Sequence, residues 1–368
     1  MPKLSSAPLN REPDVEALIS SFLTTKDLKP YNRNHCPLPE HISTASHRVV
    51  VDGLVSQSLS LSISDLHDAF PQHKVTCALQ CAGNRRHTMR TLLKEVQGLD
   101  WFAGAVMNCE WQGPKLSDVL SRAGLALSED DARSAHVAFA CKAMLCQDDD
   151  WYGASLPLSR AMREEADIIL ALEMNGEPLT REHGFPVRIV APGIAGARSV
   201  KWLDHITVQQ DMSSNHYMHF DYKVLPEAAV DSESARDFWA ITPPVIEMPV
   251  NSAVAVPADG STVQTTADGL VIVKGYAVPS GDDGPVVKVE VSADGESWIT
   301  ADLKSPANAN KWSWTLWEAS LKIEIGKNKT VFSRATDKAG NTQPRHSQWN
   351  LRGVCYNGYG EARDLTVQ

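Results

Sequence analysis

The chain predicts an α+β fold in two parts, a mixed α/β part over residues 1–244 and an immunoglobulin-like β-sandwich over residues 245–368. Three observations carry this expectation. A length of 368 residues suits two or three domains of about 150 residues each. Helix-like and strand-like stretches alternate up to residue 244, whereas beyond it the apolar pattern turns to period two. The Pro-rich Thr242-Pro243-Pro244 lies between the two textures and reads as a hinge.

Within the first part, Leu116 to Leu125 carries apolar residues at helical spacing and stops at Gly124. Ile168 to Leu172 and Val187 to Ala191 are short apolar runs suited to buried strands. Within the second part, Val287, Val289 and Val291 alternate with polar neighbours before the turn Ala293-Asp294-Gly295. Trp312, Trp314 and Leu316 alternate again, and Val331 to Arg334 leads to a turn at Asp337 to Asn341. Short alternating strands with Gly, Asp and Asn turns predict the sandwich.

Composition narrows the function. Lys and Arg total 35 against 45 Asp and Glu, a formal charge of −10, which excludes a general nucleic-acid binder but allows a locally basic pocket. Apolar residues make up 43%, enough for large cores, yet no run approaches the roughly 20 residues of a bilayer span. No integral membrane protein is expected. The 7 cysteines are odd in number and irregular in spacing, so reduced, mostly buried thiols are expected. No secretory signal and no Ser-Lys-Leu-type C-terminus is present. The reading is of an intracellular soluble protein, with cytoplasmic, mitochondrial and peroxisomal placement all open.

Three stretches carry chemistry. In Thr76 to Arg86, Cys81 precedes the turn-prone Ala82-Gly83-Asn84 and then Arg85 and Arg86. Two guanidinium groups this close favour a thiolate, which attacks electrophiles or binds soft metals. A zinc site on Cys77 and Cys81 lacks further ligands at matching spacing. In Tyr31 to Pro39, the Arg33-Asn34-His35 cluster precedes a Pro-stiffened loop and suits an anion. From Glu173 to Leu203, His183, Arg188, Arg198, Ser199 and Lys201 are interleaved with glycines and prolines, as in a polyanion cradle. The pair His216 and His219 could hold another metal, but no further ligand is placed for it and a polar loop is expected.

These residues resemble a known family. Leu79 to Arg86 is similar to the molybdenum-cysteine signature of the sulfite oxidase family, which includes eukaryotic nitrate reductases. The resemblance extends through Arg33 to His35, Gly153 to Leu158, Met174 to Leu179, His183 to Arg188, Pro192 to Leu203, Asp221 to Lys223 and Trp349 to Gly353. It implies a molybdopterin-binding domain of sulfite oxidase type over 1–244 and a dimerisation domain over 245–368.

The resemblance further implies Cys81 as the metal ligand, with the cofactor a molybdenum-molybdopterin. The implied pterin-binding positions are Tyr31, Asn32, Arg33, Asn34, His35, His183, Arg188, Ser199, Val200 and Lys201. The implied oxyanion pocket is Arg33, Arg86, Arg352, Trp101 and Tyr222. Taken alone, Trp101 reads as a core aromatic and Tyr222 as a surface strand residue. The implied activity is oxidation of sulfite to sulfate by oxygen-atom transfer. Electrons would pass to dioxygen or an external carrier such as a cytochrome, because about 30 residues before Arg33 are too few for a haem domain. A homodimer is implied, with neither membrane nor nucleic acid as a partner.

Two other readings stand beside it. Nitrate reductases tend to carry Asn and Met at the positions of Tyr222 and Arg352, so the residues here favour sulfite. A catalytically silent module on the same fold would have little reason to keep Cys81 and three arginines. Two departures are visible. The acid that usually follows the strand around Phe139 is Ala143 here, which passes any such contact to Asp148, Asp149 or Asp150. The stretch Val354 to Tyr359 also leaves the family pattern.

Overall fold

The structure, a computed structural model, describes residues 4, 6–307 and 309–368. The first part is built mainly from sheet. Its largest sheet runs Leu59–Ser62, Arg48–Gly53, His205–Gln209, His136–Cys141, Tyr152–Pro157, with only the Arg48–Gly53 and His205–Gln209 pair parallel. A second sheet is dominated by the long antiparallel pair Gln72–Gln80 and Val106–Pro114, in register with Cys77 opposite Cys109. The two short apolar runs form the predicted strands, Ile169–Ala171 against Arg188–Val190.

Helices are few and short. The predicted Leu116–Ala123 helix buries Leu116, Val119, Leu120 and Ala123 along one face. It ends where Gly124, at φ 68°, donates its N–H to the carbonyl of Leu120 at 3.0 Å. No helix among the described residues is long and apolar enough to cross a membrane.

The second part is a β-sandwich, as expected. One sheet orders Asn251–Val256, Leu270–Val278, Thr315–Lys322, Asp302–Lys304, and the other Thr262–Val263, Gly360–Val367, Gly326–Asp337, Val286–Ser292, Ile299–Thr300. Val271, Val273, Val289, Val291, Trp317, Leu321, Val331 and Leu365 fill the space between them. Each fully buried aliphatic side chain of this kind contributes about 1.5–3 kcal/mol.

Two expectations for this half are corrected. Val287 does not share the inward face of Val289 and Val291. The register slips between Val286 and Lys288, so Val286 turns inward and Val287 is 51% exposed. Trp312 lies in a turn and Trp314 just before the strand that starts at Thr315. Trp314 faces outward from the sandwich, packing with Tyr276 and Val278 against Leu18, Ala78 and Val106 of the first part.

The two parts are therefore tightly joined. Arg85, at φ 63°, drives its buried guanidinium into the second part. It donates to Asn251 Oδ1, the Ser252 carbonyl and the Gly358 carbonyl, each at 2.8 Å, and to the Tyr359 carbonyl. The segment after Pro244 is stitched rather than loose. The Ile246 carbonyl accepts from Ala195 N–H at 2.8 Å, and Met248 N–H donates to the Gly193 carbonyl at 3.2 Å.

Candidate active site

Cys81 is the first residue after the strand Gln72–Gln80, buried and followed by a tight turn. Its carbonyl accepts from Asn84 N–H at 3.0 Å, and the Gly83 N–H points at Cys81 Sγ from 3.4 Å. The sulfur opens onto a cavity lined also by Tyr31, Arg33, Asn34, His35, Arg188, Ser199, Lys201 and Tyr222. Residues separated by nearly 200 positions in sequence thus converge on one thiol.

The expected thiolate is corrected. Burial raises the Cys81 pKa above its ordinary value, although Arg86, the Gly83 N–H and Arg33 oppose this. Arg85 gives no help because it points into the sandwich. The sulfur is a neutral thiol until a cation in the cavity displaces its proton.

On one wall a chain of hydrogen bonds fixes proton positions. Arg33 Nη2 lies 3.1 Å from His35 Nδ1, and guanidinium can only donate, so Nδ1 accepts. Nε2 therefore carries the proton and donates to the Tyr222 hydroxyl at 2.7 Å. That leaves the Tyr222 O–H free to donate into the cavity. Burial, then Arg33, lowers the His35 pKa well below its ordinary value and keeps the ring neutral. Burial pushes the Tyr222 phenol up to about 12, so it remains a donor. Tyr222 is buried, off any strand and at φ 50°, a conformation costly for a bulky residue.

Arg86, Arg352 and Trp101 flank the cavity rather than line it. Arg86 is buried, donating Nε to the Arg352 carbonyl at 2.9 Å and Nη1 to the Leu99 carbonyl at 2.8 Å. Arg352 Nη2 pairs with Asp221 Oδ1 at 2.7 Å, next in sequence to Tyr222. Trp101 packs in one apolar cluster with Cys81 and Tyr31, its Nε1 buried without a partner.

The opposite wall is cationic. Arg188 is buried and, among the described residues, its side chain bonds only to carbonyls, of His183 at 3.1 Å, Ser199 at 3.0 Å and Ile189 at 3.3 Å. Lys201 Nζ donates to Asn32 Oδ1 and the Glu182 carbonyl, both at 2.9 Å. Burial, then Arg188, lowers the Lys201 pKa well below its ordinary value, and burial brings Arg188 down to about 10. Val200 contributes backbone only, its carbonyl accepting from Ile189 N–H at 2.9 Å.

Sequence reasoning left several residues out of the site. Cys36, Met107, Tyr152, Gly196, Ala197 and Trp202 also line the cavity. Arg198, fully buried with Nη2 unpaired, stacks its cation 5.6 Å from the Tyr222 ring. Its place among the cradle cations was the available signal. The three acids proposed to replace the missing family acid do not line the cavity. Asp149 instead accepts from Asn215 Nδ2 at 3.0 Å and His216 N–H at 2.7 Å, capping His216–His219, which is a helical turn and not a loop. No group of three His, Cys, Asp or Glu side chains that could hold a metal occurs among the described residues.

This donor set fits a polyanionic, hydrogen-bonding cofactor bound through one soft ligand. Among the described residues neither Arg188, which is buried, nor the half-buried Lys201 pairs with a carboxylate, and a buried cation needs an anion. Gln80 Nε2 and Oε1, Asn34 Oδ1 and His183 Nδ1 are buried and unpaired. Of these, Asn34 lines the cavity and its orphaned oxygen can accept from a ligand there, whereas Gln80 lines a separate pocket.

The buried imidazoles give a stability prediction. Burial lowers His183 to about 3 and His35 well below its ordinary value, whereas both titrate near 6.5 when unfolded. Between those values the unfolded chain binds protons that the folded one excludes, so stability falls as pH falls. Urea denaturation from pH 7 to pH 5 is expected to lose up to ~1.4 kcal/mol per pH unit for each imidazole. His183→Gln is expected to lessen that slope, and an unchanged slope would refute the assignment.

Residues 35–217 match the family described as oxidoreductase molybdopterin binding domain, and residues 242–362 match the Mo-co oxidoreductase dimerisation domain. Human mitochondrial sulfite oxidase is 43% identical over 96% of this chain, which spans 64% of that relative's length. Sulfite oxidase from Arabidopsis thaliana is 39% identical over 94% of this chain and 89% of the relative. The NADH nitrate reductase of Volvox carteri is 34% identical over 96% of this chain and 41% of its own length. Among solved structures, the sulfane dehydrogenase SoxCD from Paracoccus pantotrophus superposes with TM-score 0.77, 23% identity, 98% of this chain and 88% of its own, a likeness of fold. The chain belongs to the sulfite oxidase family of molybdopterin-dependent oxidoreductases.

Proposed function

We propose that the protein oxidises sulfite to sulfate at the cavity beside Cys81. The observation that carries the reading is the convergence of Cys81, Arg33 and a donating Tyr222 on one cavity, flanked by Arg86 and Arg352. A molybdenum-molybdopterin group, when bound, would supply the oxidising equivalents and the transferred oxygen atom, and Cys81 would hold its metal through sulfur. Arg188, Lys201, His183, Ser199, Asn32, Asn34 and Tyr31 would hold the pterin and its phosphate by charge and hydrogen bonds.

The chain's own residues bind and orient the anion. A dianion loses its hydration on entry, and converging guanidinium groups offset that cost. Tyr222, kept protonated by burial and supplied by His35, donates to an anion oxygen. Trp101 packs behind Cys81 and Tyr31 and backs the pocket on its apolar side. Electrons then leave to dioxygen or to an external carrier such as a cytochrome. The chain divides at residues 244 and 245 and pairs as a homodimer through its second part, a reading supported by the match to a dimerisation domain.

The reading is tested by stopped-flow absorbance on purified protein of measured molybdenum content. Sulfite is expected to bleach the thiolate-to-metal band, and recovery in air would identify dioxygen as an acceptor. If only nitrate reoxidises a chemically reduced sample, the direction of oxygen transfer is reversed. In steady-state assays Arg352→Met is expected to raise the KM for sulfite at least tenfold, about 1.4 kcal/mol of apparent binding. An unchanged KM would remove Arg352 from the pocket.

A further inference from the structure

The segment Leu9 to Glu12 precedes every motif described above, yet it is laid along the cavity's own residues. Arg11 and Asn32 exchange backbone hydrogen bonds at 3.0 and 2.9 Å, and Asn34 Nδ2 donates to the Leu9 carbonyl at 2.8 Å. Arg11 also pairs with Glu182. The Glu12 carboxylate accepts from the N–H groups of Phe102 at 2.7 Å and Gly104 at 2.9 Å, just beyond Trp101. Asn10 sits at the centre of this strap. Its Oδ1 accepts from Asn34 N–H at 3.1 Å and from Arg33 Nη1 at 3.3 Å, while its Nδ2 is turned to the Pro8 carbonyl.

We infer that Asn10 is a positioning residue for the oxyanion pocket, holding the Arg33 guanidinium where its Nη2 meets His35. The inference rests on the proposed reading of the cavity as a sulfite site. Arg33 makes no ion pair among the described residues, so its orientation depends on neutral acceptors, Asn10 Oδ1, the Asn34 carbonyl and His35 Nδ1. An amide oxygen orients a cation without cancelling its charge, whereas a carboxylate at the same point would compete with the substrate anion. Through Arg33 the same contact fixes which nitrogen of His35 donates to Tyr222, and hence where the phenol's proton points.

The test compares cofactor-loaded wild type, Asn10→Ala and Asn10→Asp in two measurements, sulfite kinetics and calorimetric binding of sulfate to the oxidised enzyme. Asn10→Ala is expected to raise both the KM for sulfite and the Kd for sulfate five- to tenfold, with kcat lowered no more than threefold and molybdopterin content unchanged. Asn10→Asp, isosteric and still an acceptor, is expected to weaken sulfate binding further, because its charge faces Arg33. A purely structural role for the strap would leave Asn10→Asp at the wild-type Kd, and that result would overturn the inference. An unchanged Asn10→Ala, or one that loses pterin, would overturn it equally. Should Asn10→Ala not fold, the isosteric variant alone decides. Failure of the underlying reading is distinct: wild type itself would then neither oxidise sulfite nor bind sulfate.

Discussion

Cys81→Ser is expected to abolish sulfite-dependent turnover, by at least ~10³-fold in kcat, while leaving the fold intact. The two side chains differ by one atom, and the site asks little of that atom structurally. Its protein contact is the Gly83 N–H at 3.4 Å, which a hydroxyl oxygen can accept as well. What changes is the chemistry. Burial already holds the thiol above its ordinary pKa, yet a bound metal can strip a proton from sulfur. A serine alcohol in the same pocket resists ionisation far more strongly, and its hard oxygen shares charge poorly with a redox-cycling metal. The measurement is kcat on purified variant with molybdenum and pterin both quantified, beside a thermal melt within about 4 °C of wild type. Retained turnover would sink the assignment of Cys81 as ligand.

Much of the fold was legible because its signals are local. The period-two runs after residue 245 gave a sandwich, and the amphipathic stretch at Leu116–Ala123 gave a helix ended by Gly124. The misplaced details depend on tertiary partners. Val287 obeys the alternation in sequence, but a bulge against the strand Gly326–Asp337 turns it out to solvent. Trp314 looks like core of the sandwich and instead seals it onto the first part.

The site was legible to the degree that its motifs are long. Cys81, Arg33, His35, Arg188 and Lys201 do converge on one cavity. Adjacent arginines, however, look alike in sequence. Arg85 bolts the two parts together while Arg86 turns toward the pocket, a divergence set by the positive φ of Arg85 and the start of the helix Arg86–Leu92. Asn10 was invisible for another reason. A lone Asn near a terminus carries no pattern, and its value lies wholly in what Arg33 needs.

Gly353→Ala is expected to lower kcat/KM on the order of 10²-fold and to destabilise the fold by about 2–4 kcal/mol. The argument runs through Arg86, whose buried side chain is nested among three glycines. A Cβ built on Gly83 would lie 2.6 Å from Arg86 Nη2, and one on Gly98 would lie 2.9 Å from its Cζ. At Gly353 the added carbon would meet Arg86 Cγ at 2.7 Å and Val96 Cγ2 at 2.9 Å. Neither neighbour can retreat, since Arg86 Nε is bonded to the Arg352 and Gly353 carbonyls and Val96 is buried. Alanine at φ 55° also pays about 1 kcal/mol of backbone strain. Gly340→Ala separates the two costs. Gly340 has φ 92° with nothing within 4 Å of its added carbon, so that variant is expected to show the backbone penalty and wild-type kcat/KM. The substitution at Gly353 adds no charge and removes none, so a loss of activity beyond that control reports the position of the Arg86 guanidinium. Wild-type kcat/KM in Gly353→Ala would mean that Arg86 does not orient the anion, however close it lies to Cys81.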